Sequence, residues 1–123
     1  MHKHILTVVT LWCGLVWSMG VRAGDVEIVN VVAEHESNGW RFDVTLKHAD
    51  EGWDHYADLW QVIAPNGEVL GERVLAHPHV NEQPFTRSLS GVAIPEGLDT
   101  VSVRARDTVH GVAAQVYEVK LVP

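Results

Sequence analysis

Sulfur is nearly absent from this chain. The 123 residues contain one cysteine, Cys13, and two methionines, Met1 and Met19. All three lie within the first 23 residues, so residues 24–123 can form no disulfide and offer no thiolate or thioether to a metal. Any metal site in that part of the chain has only nitrogen and oxygen ligands.

Basic residues are also scarce. Nine Lys and Arg stand against 16 Asp and Glu, which gives a net charge of −7. Removal of Lys3 and Arg22 with an amino-terminal segment would take this charge to −9. Such an acidic surface argues against nucleic acids and anionic membranes as partners.

The first 23 residues have the pattern of a secretory signal. A polar start at 2–4 precedes a mostly apolar run at 5–21, and Val21-Arg22-Ala23 is typical of a signal peptidase site. We therefore expect a signal peptide at 1–23, a mature domain at 24–123 and a periplasmic location, with no membrane association after cleavage. The alternative is a membrane anchor, for which the apolar run is short. Cys13 lacks the neighbours of a lipidation site.

Strand patterns fill the rest of the chain. No long 3.6-residue period appears, whereas short apolar or alternating runs follow one another between turn residues such as Asn38-Gly39. Trp60 is the expected core tryptophan. The pattern predicts an all-β, seven-stranded antiparallel sandwich of the immunoglobulin or fibronectin-III type. The expected strands are 26–34, 40–48, 55–64, 69–76, 85–92, 99–107 and 113–122.

Histidines are predicted to gather at one end of this sandwich. Successive connections between antiparallel strands alternate between the two ends, so the connections at 49–54, 77–84 and 108–112 should share an end. Only His35 falls at the opposite end. The five histidines expected together are His48, His55, His77, His79 and His110.

The segment His77-Pro78-His79 suggests a ligand pair. Pro78 restricts His77 to extended geometry, so both rings tend to project from the same side of the chain. Imidazole suits Cu(II) and Zn(II), and we expect a carrier or accessory site for one of these metals. The participation of His35 and His48 is left open. The expected ligands are His77 and His79, with His55 or His110, and with Glu82 or Asp107 as a further group.

Other readings of these loops remain. Loop histidines are often solvated, and the acidic run at 50–58 suggests calcium but lacks the alternation and the glycine of an EF-hand. No nucleophile elbow, phosphate-binding loop or His-Glu-x-x-His helix is present, so we expect no enzyme. A metal-free protein-interaction module would use Trp53, Tyr56 and Phe85 as anchors.

Several segments carry a resemblance to known proteins. They are 53–60 (WDHYADLW), His77-Pro78-His79, 84–91 (PFTRSLSG) and 107–111 (DTVHG). With them the chain resembles small uncharacterised periplasmic proteins of proteobacteria. In size and architecture it is similar to periplasmic copper carriers of the CopC type, a likeness of fold alone. Those carriers use an amino-terminal histidine, whereas this mature chain would begin Gly24-Asp25, so their ligand set does not transfer.

Overall fold

The computed structural model describes residues 24–123, and the predicted signal at 1–23 lies outside them. This part of the chain is all-β and antiparallel, as predicted, and none of it forms a helix suited to crossing a membrane. Its eight strands are β1 (Glu27–Glu36), β2 (Gly39–Lys47), β3 (Ala57–Ile63), β4 (Val69–Val74), β5 (Phe85–Val92), β6 (Thr100–Asp107), β7 (Gly111–Val112) and β8 (Tyr117–Lys120).

The strands form two sheets. One has the order β1-β2-β5, and the other has the order β4-β3-β6, with β7 and β8 both paired to the far side of β6. The sheets share one core, which is the layout of a β-sandwich. The chain passes between the two sheets after β2, β4 and β5. The β2–β3 connection, the β4–β5 connection and the turn after β6 all lie at the same end of the sandwich.

The last predicted strand, 113–122, is reduced to β8 in the structure, and a further short strand, β7, lies in the predicted turn before it. Between them, the Gln115 side chain accepts a hydrogen bond from Ile28 N (2.7 Å) and donates one to Ile28 O (3.1 Å). These bonds tie the segment to β1 beside an irregularity in its pairing with β2. The segment therefore leaves β6 to satisfy the backbone of the other sheet, which a single-strand pattern does not reveal.

Alternating side chains build the core. In β2, Trp40, Phe42, Val44 and Leu46 are buried, while the residues between them are partly exposed. Trp60 of β3 is fully buried, as predicted. Burial of these large side chains supplies the main stabilising free energy of a domain without disulfides. The polar residues at the strand ends do not belong to this core, so they can serve functions other than packing.

Candidate metal centre

Three chain segments meet at one end of the sandwich. β2 ends just before His48, β3 begins just after His55, and β6 ends at Asp107. Asp107 is paired with Ala57 in the sheet, and Thr108 N donates a hydrogen bond to Tyr56 O (3.0 Å). The backbone thus fixes the start of β3 against the turn that follows β6.

His48 is held in place by a buried carboxylate. Its Nδ1–H donates to Asp50 Oδ1, and both side chains are almost completely buried. The other ring nitrogen, Nε2, lies 3.0 Å from Gly24 O and 3.7 Å from Asp107 Oδ2. Because both of these oxygens are electron-rich, a proton or a metal ion at Nε2 is needed to make this arrangement attractive.

His55 is also oriented by a carboxylate at its Nδ1. Its Nδ1–H donates to Glu51 Oε1 (2.7 Å), which leaves the lone pair on Nε2. That Nε2 is buried without a hydrogen-bond partner and lies 3.5 Å from Asp107 Oδ1. A buried nitrogen lone pair that faces a carboxylate oxygen is unfavourable unless a cation lies between them.

Asp107 is the buried anion between these rings. Its Oδ1 accepts hydrogen bonds from Val109 N (2.8 Å) and His110 N (2.6 Å), which form a tight turn after β6. Burial acts to raise the pKa of Asp107, but these backbone donors and the His110 side chain outweigh it and hold the pKa below its usual value. Asp107 is therefore an anion at neutral pH, as a metal ligand must be.

Together, His48, His55 and Asp107 offer three ligand atoms that all lie within 4.8 Å of one another. Ligands about 2.0–2.1 Å from a tetrahedral Zn²⁺ lie about 3.3 Å apart. The distances of 3.5 Å and 3.7 Å from the ring nitrogens to the Asp107 oxygens are close to this spacing. Carboxylates also orient both rings through Nδ1, as is usual for histidines that bind metals through Nε2.

A second set of ligands adjoins the first. Asp25, Asp107 and His110 also offer three atoms within 4.8 Å of one another. His110 Nδ1 lies 3.1 Å from Asp107 Oδ2, and its ring packs against that of His55, with centroids 5.0 Å apart. The backbone of Gly24 lies against this ring, since a Cβ at Gly24 would be only 2.8 Å from His110 Cε1.

The structure places His77, His79 and Glu82 differently. The His77 and His79 rings are neighbours, with centroids 4.7 Å apart, but His77 is exposed and contacts its own chain at Pro78 O. Within the described residues, neither histidine belongs to a group of three metal-ligating atoms. Glu82 is exposed and pairs with Arg87 (3.1 Å).

His79 is a packing residue in this structure. Its ring stacks on Phe85, with centroids 4.0 Å apart, and Arg87 donates to its Nε2 (2.9 Å). Burial, followed by the charges of Arg87 and His77, lowers the pKa of His79. Its backbone N–H donates to Asp50 Oδ2 (2.8 Å), so the loop of His79 supports the carboxylate that orients His48.

Of the residues predicted from sequence, the structure therefore brings His55, His110 and Asp107 together and leaves His77, His79 and Glu82 in a separate cluster around Arg87. The sequence analysis did not assign His48 or Asp25 as ligands. Nor did it assign Asp50 and Glu51 as the carboxylates that orient His48 and His55. The nearness of His48 and Asp50 in the chain was the one available signal, but strand alternation does not explain their contact, because the backbone turns there and Asp50 N donates to His48 O (2.8 Å). The choice of ring nitrogen and the position of Gly24 depend on tertiary contacts.

No family model matches this chain, and no solved structure matches it. A protein of Halomicrobium mukohataei described as a "Putative lipoprotein" is 45% identical over 95 residues. The match covers 74% of this chain and 46% of the relative. The chain thus spans less than half the length of the relative that it matches.

Proposed function

We propose that this protein binds a divalent transition metal through His48, His55 and Asp107. The buried, unpartnered Nε2 of His55, which faces Asp107 at 3.5 Å, is the observation that carries the proposal. A metal ion at this point would accept its lone pair and neutralise the carboxylate. Oriented imidazoles and a buried anion favour a site that exists before the ion arrives.

Cu(II) and Zn(II) are the metals that this ligand set favours. Imidazole nitrogen suits both ions, and Cu(II) should bind more tightly because it stands higher in the order of divalent affinities. Three protein ligands leave at least one position open, which permits exchange of the ion with a partner. We propose metal carriage or an accessory binding role, without catalysis.

We further propose that the protein acts in the cell envelope, in the periplasm after signal cleavage. The signal pattern at 1–23 supports this location, and so does the similarity to a protein described as a lipoprotein. The sheet order, with β5 beside β2 and β6 beside β3, favours a sandwich of the immunoglobulin or fibronectin-III type. The fold-level likeness to CopC-type carriers and to small proteobacterial periplasmic proteins remains part of this proposal.

A protein-interaction role is the second candidate. Trp53 is 67% exposed and contacts Tyr56 edge to face, with ring centroids 5.6 Å apart. An exposed tryptophan is a frequent anchor of binding interfaces. Phe85 is 2% exposed and cannot serve as an anchor without unfolding. The Trp53 pair lies in the same loop as Glu51 and His55, so a partner docked there would also meet the metal centre.

The replacement His55→Ala tests the metal proposal. It removes a direct ligand and should weaken Zn(II) and Cu(II) binding at least about 100-fold, more than the loss typical of a supporting residue. Calorimetric titration of metal-free protein that carries no histidine tag measures this change. Because the His55 side chain is not fully buried, the variant should keep its β-sheet circular dichroism spectrum.

His77→Ala is the matched control, since it removes an exposed histidine of a neighbouring loop. It should leave the affinity unchanged. If His77→Ala abolishes binding and His55→Ala does not, the ligands are those of the 77–84 loop and the proposed centre is wrong. Absence of stoichiometric binding in the unaltered protein would refute metal binding altogether.

A further inference from the structure

The two ligand groups at this end of the sandwich share one residue. His48 and His55 form one group with Asp107, and Asp25 and His110 form the other. Neither His110 nor Asp25 belongs to the first group, so a single ion that binds His48, His55 and Asp107 leaves them unused. The two sets of ligands are thus neighbours that share the Asp107 carboxylate.

Both carboxylate oxygens of Asp107 face ring nitrogens of these histidines. Oδ1, which accepts hydrogen bonds from Val109 N and His110 N, lies 3.5 Å from His55 Nε2. No backbone donor of the described residues bonds to Oδ2, which lies 3.7 Å from His48 Nε2 and 3.1 Å from His110 Nδ1. Oδ2 thus faces one histidine from each group.

The charge of the carboxylates around Asp107 also favours two ions. The groups contain Asp25 and Asp107, and the supporting carboxylates are Asp50 and Glu51. Within residues 24–123, none of these four forms an ion pair with lysine or arginine. Within the described part of the chain, the basic side chains that pair with Asp50, Glu51 and Asp107 are histidines. Two divalent cations would balance their four negative charges, whereas one would leave two uncompensated.

We propose that the centre binds two transition-metal ions bridged by Asp107. This inference rests on the proposed function and extends it from one ion to a pair. One ion is bound by His48, His55 and Asp107, and the other by His110, Asp25 and Asp107. Ions that share a carboxylate in this way lie about 3.5–4 Å apart. The second site is more exposed and should have the lower affinity.

The test is the number of ions bound, measured by native mass spectrometry and calorimetry with Zn(II) alone. The protein should begin at the predicted mature residue Gly24 and carry no histidine tag. We expect two zinc ions for this protein and for the His77→Ala control. His110→Ala and Asp25→Asn should each retain one zinc ion with an affinity within about threefold of the tighter wild-type site. Both residues are at least partly exposed, so both variants should fold.

Electron paramagnetic resonance of the copper-loaded protein gives an independent readout. Two Cu(II) ions that share a ligand should give a coupled spectrum, whereas His110→Ala should give the spectrum of an isolated ion. One zinc per wild-type chain, or loss of the second ion in His77→Ala, would overturn the bridged pair while leaving the single site intact. Absence of any bound ion would refute both proposals. Two ions with uncoupled spectra would also count against a shared Asp107.

Discussion

Glu51 shows at the scale of a single residue how an exposed side chain can affect a buried site. Its carboxylate accepts the Nδ1–H of His55 and so directs the other nitrogen towards Asp107. Glu51→Gln should weaken metal binding about 10- to 100-fold, because an orienting carboxylate raises the basicity of its histidine. Competition of the protein with a chromogenic chelator measures this loss.

Glu82→Gln is the matched control for this experiment. Glu82 is also an exposed glutamate, and it pairs with Arg87 instead of His55. It should bind metal like the unaltered protein, and neither substitution should change the free energy of unfolding by more than about 1 kcal/mol. Equal affinities for the two variants would show that Glu51 does not orient a ligand.

The residues of the proposed metal centre show how much of a site can be predicted from single residues of the sequence. The alternation of connections placed His55, His110 and Asp107 at the same end as His48, and the structure brings these residues together. The pair His77-Pro78-His79 was given more weight because its members are adjacent. Their adjacency says nothing about burial, and the stacking of His79 on Phe85 makes one of them a packing residue. The preferred ring nitrogen follows from bonds to Asp50 and Glu51 that no spacing rule provides.

At the scale of elements, the connection between β4 and β5 should make the stability of the metal-free protein depend on pH. His79 of this connection faces Arg87, His77, Glu82 and Asp50, and its pKa is lowered by burial and then by Arg87. In the unfolded chain it takes up a proton near pH 6.5, while the folded protein does so only at lower pH. The unfolded state then binds more protons, so acidification through this range favours unfolding.

The contribution of His79 is therefore complete above about pH 6.5 and is lost as the pH falls towards the folded pKa. His79→Gln retains an acceptor for Arg87 but does not titrate. Its free energy of unfolding should fall less between pH 7 and pH 5 than that of the unaltered protein. Urea denaturation of both proteins at the two pH values measures the difference. Parallel losses would mean that His79 is not the group responsible.

Strands were more predictable than connections for a physical reason. β5 occupies the predicted range 85–92, β2 lies one residue earlier than its predicted range 40–48, and β6 begins one residue later than predicted. In β2 and β6, buried residues alternate with partly exposed ones, and the residue types themselves predict this pattern. The break between β7 and β8 depends on Gln115, whose partner Ile28 is 87 residues away. Hydrogen bonds between residues so far apart in the chain leave no local pattern in the sequence.

At the scale of the whole molecule, the core and the proposed metal centre are separate. The core consists of apolar side chains between the two sheets, whereas the centre lies at their end. The protein should therefore stay folded when a chelator removes the metal, with its β-sheet spectrum intact. An ion present at 100 times its dissociation constant adds about 2.7 kcal/mol to the free energy of unfolding. For a domain of this size, that should raise Tm by at least about 10 °C.

Differential scanning calorimetry with and without Zn(II) measures this shift. His55→Ala should unfold at the same temperature in both conditions, and that comparison separates binding at the centre from unspecific effects of the ion. Collapse of the spectrum on chelation would instead show that the metal is part of the fold, as in zinc fingers.

The close approach of Gly24 to His110 also determines how the protein should be produced and joined to other molecules. In a chain that starts at the predicted mature residue Gly24, any residue added ahead of it begins beside the proposed metal centre, so an amino-terminal affinity tag or fusion would compete with the ions or block their access. The opposite terminus is a better point of attachment, because Lys120 pairs with Thr100 at the far end of β6. With about 3.3 Å per residue along the strand, that position lies about 23 Å from Asp107. A fluorophore or surface linker placed after Pro123 would leave the metal-binding end facing the solution.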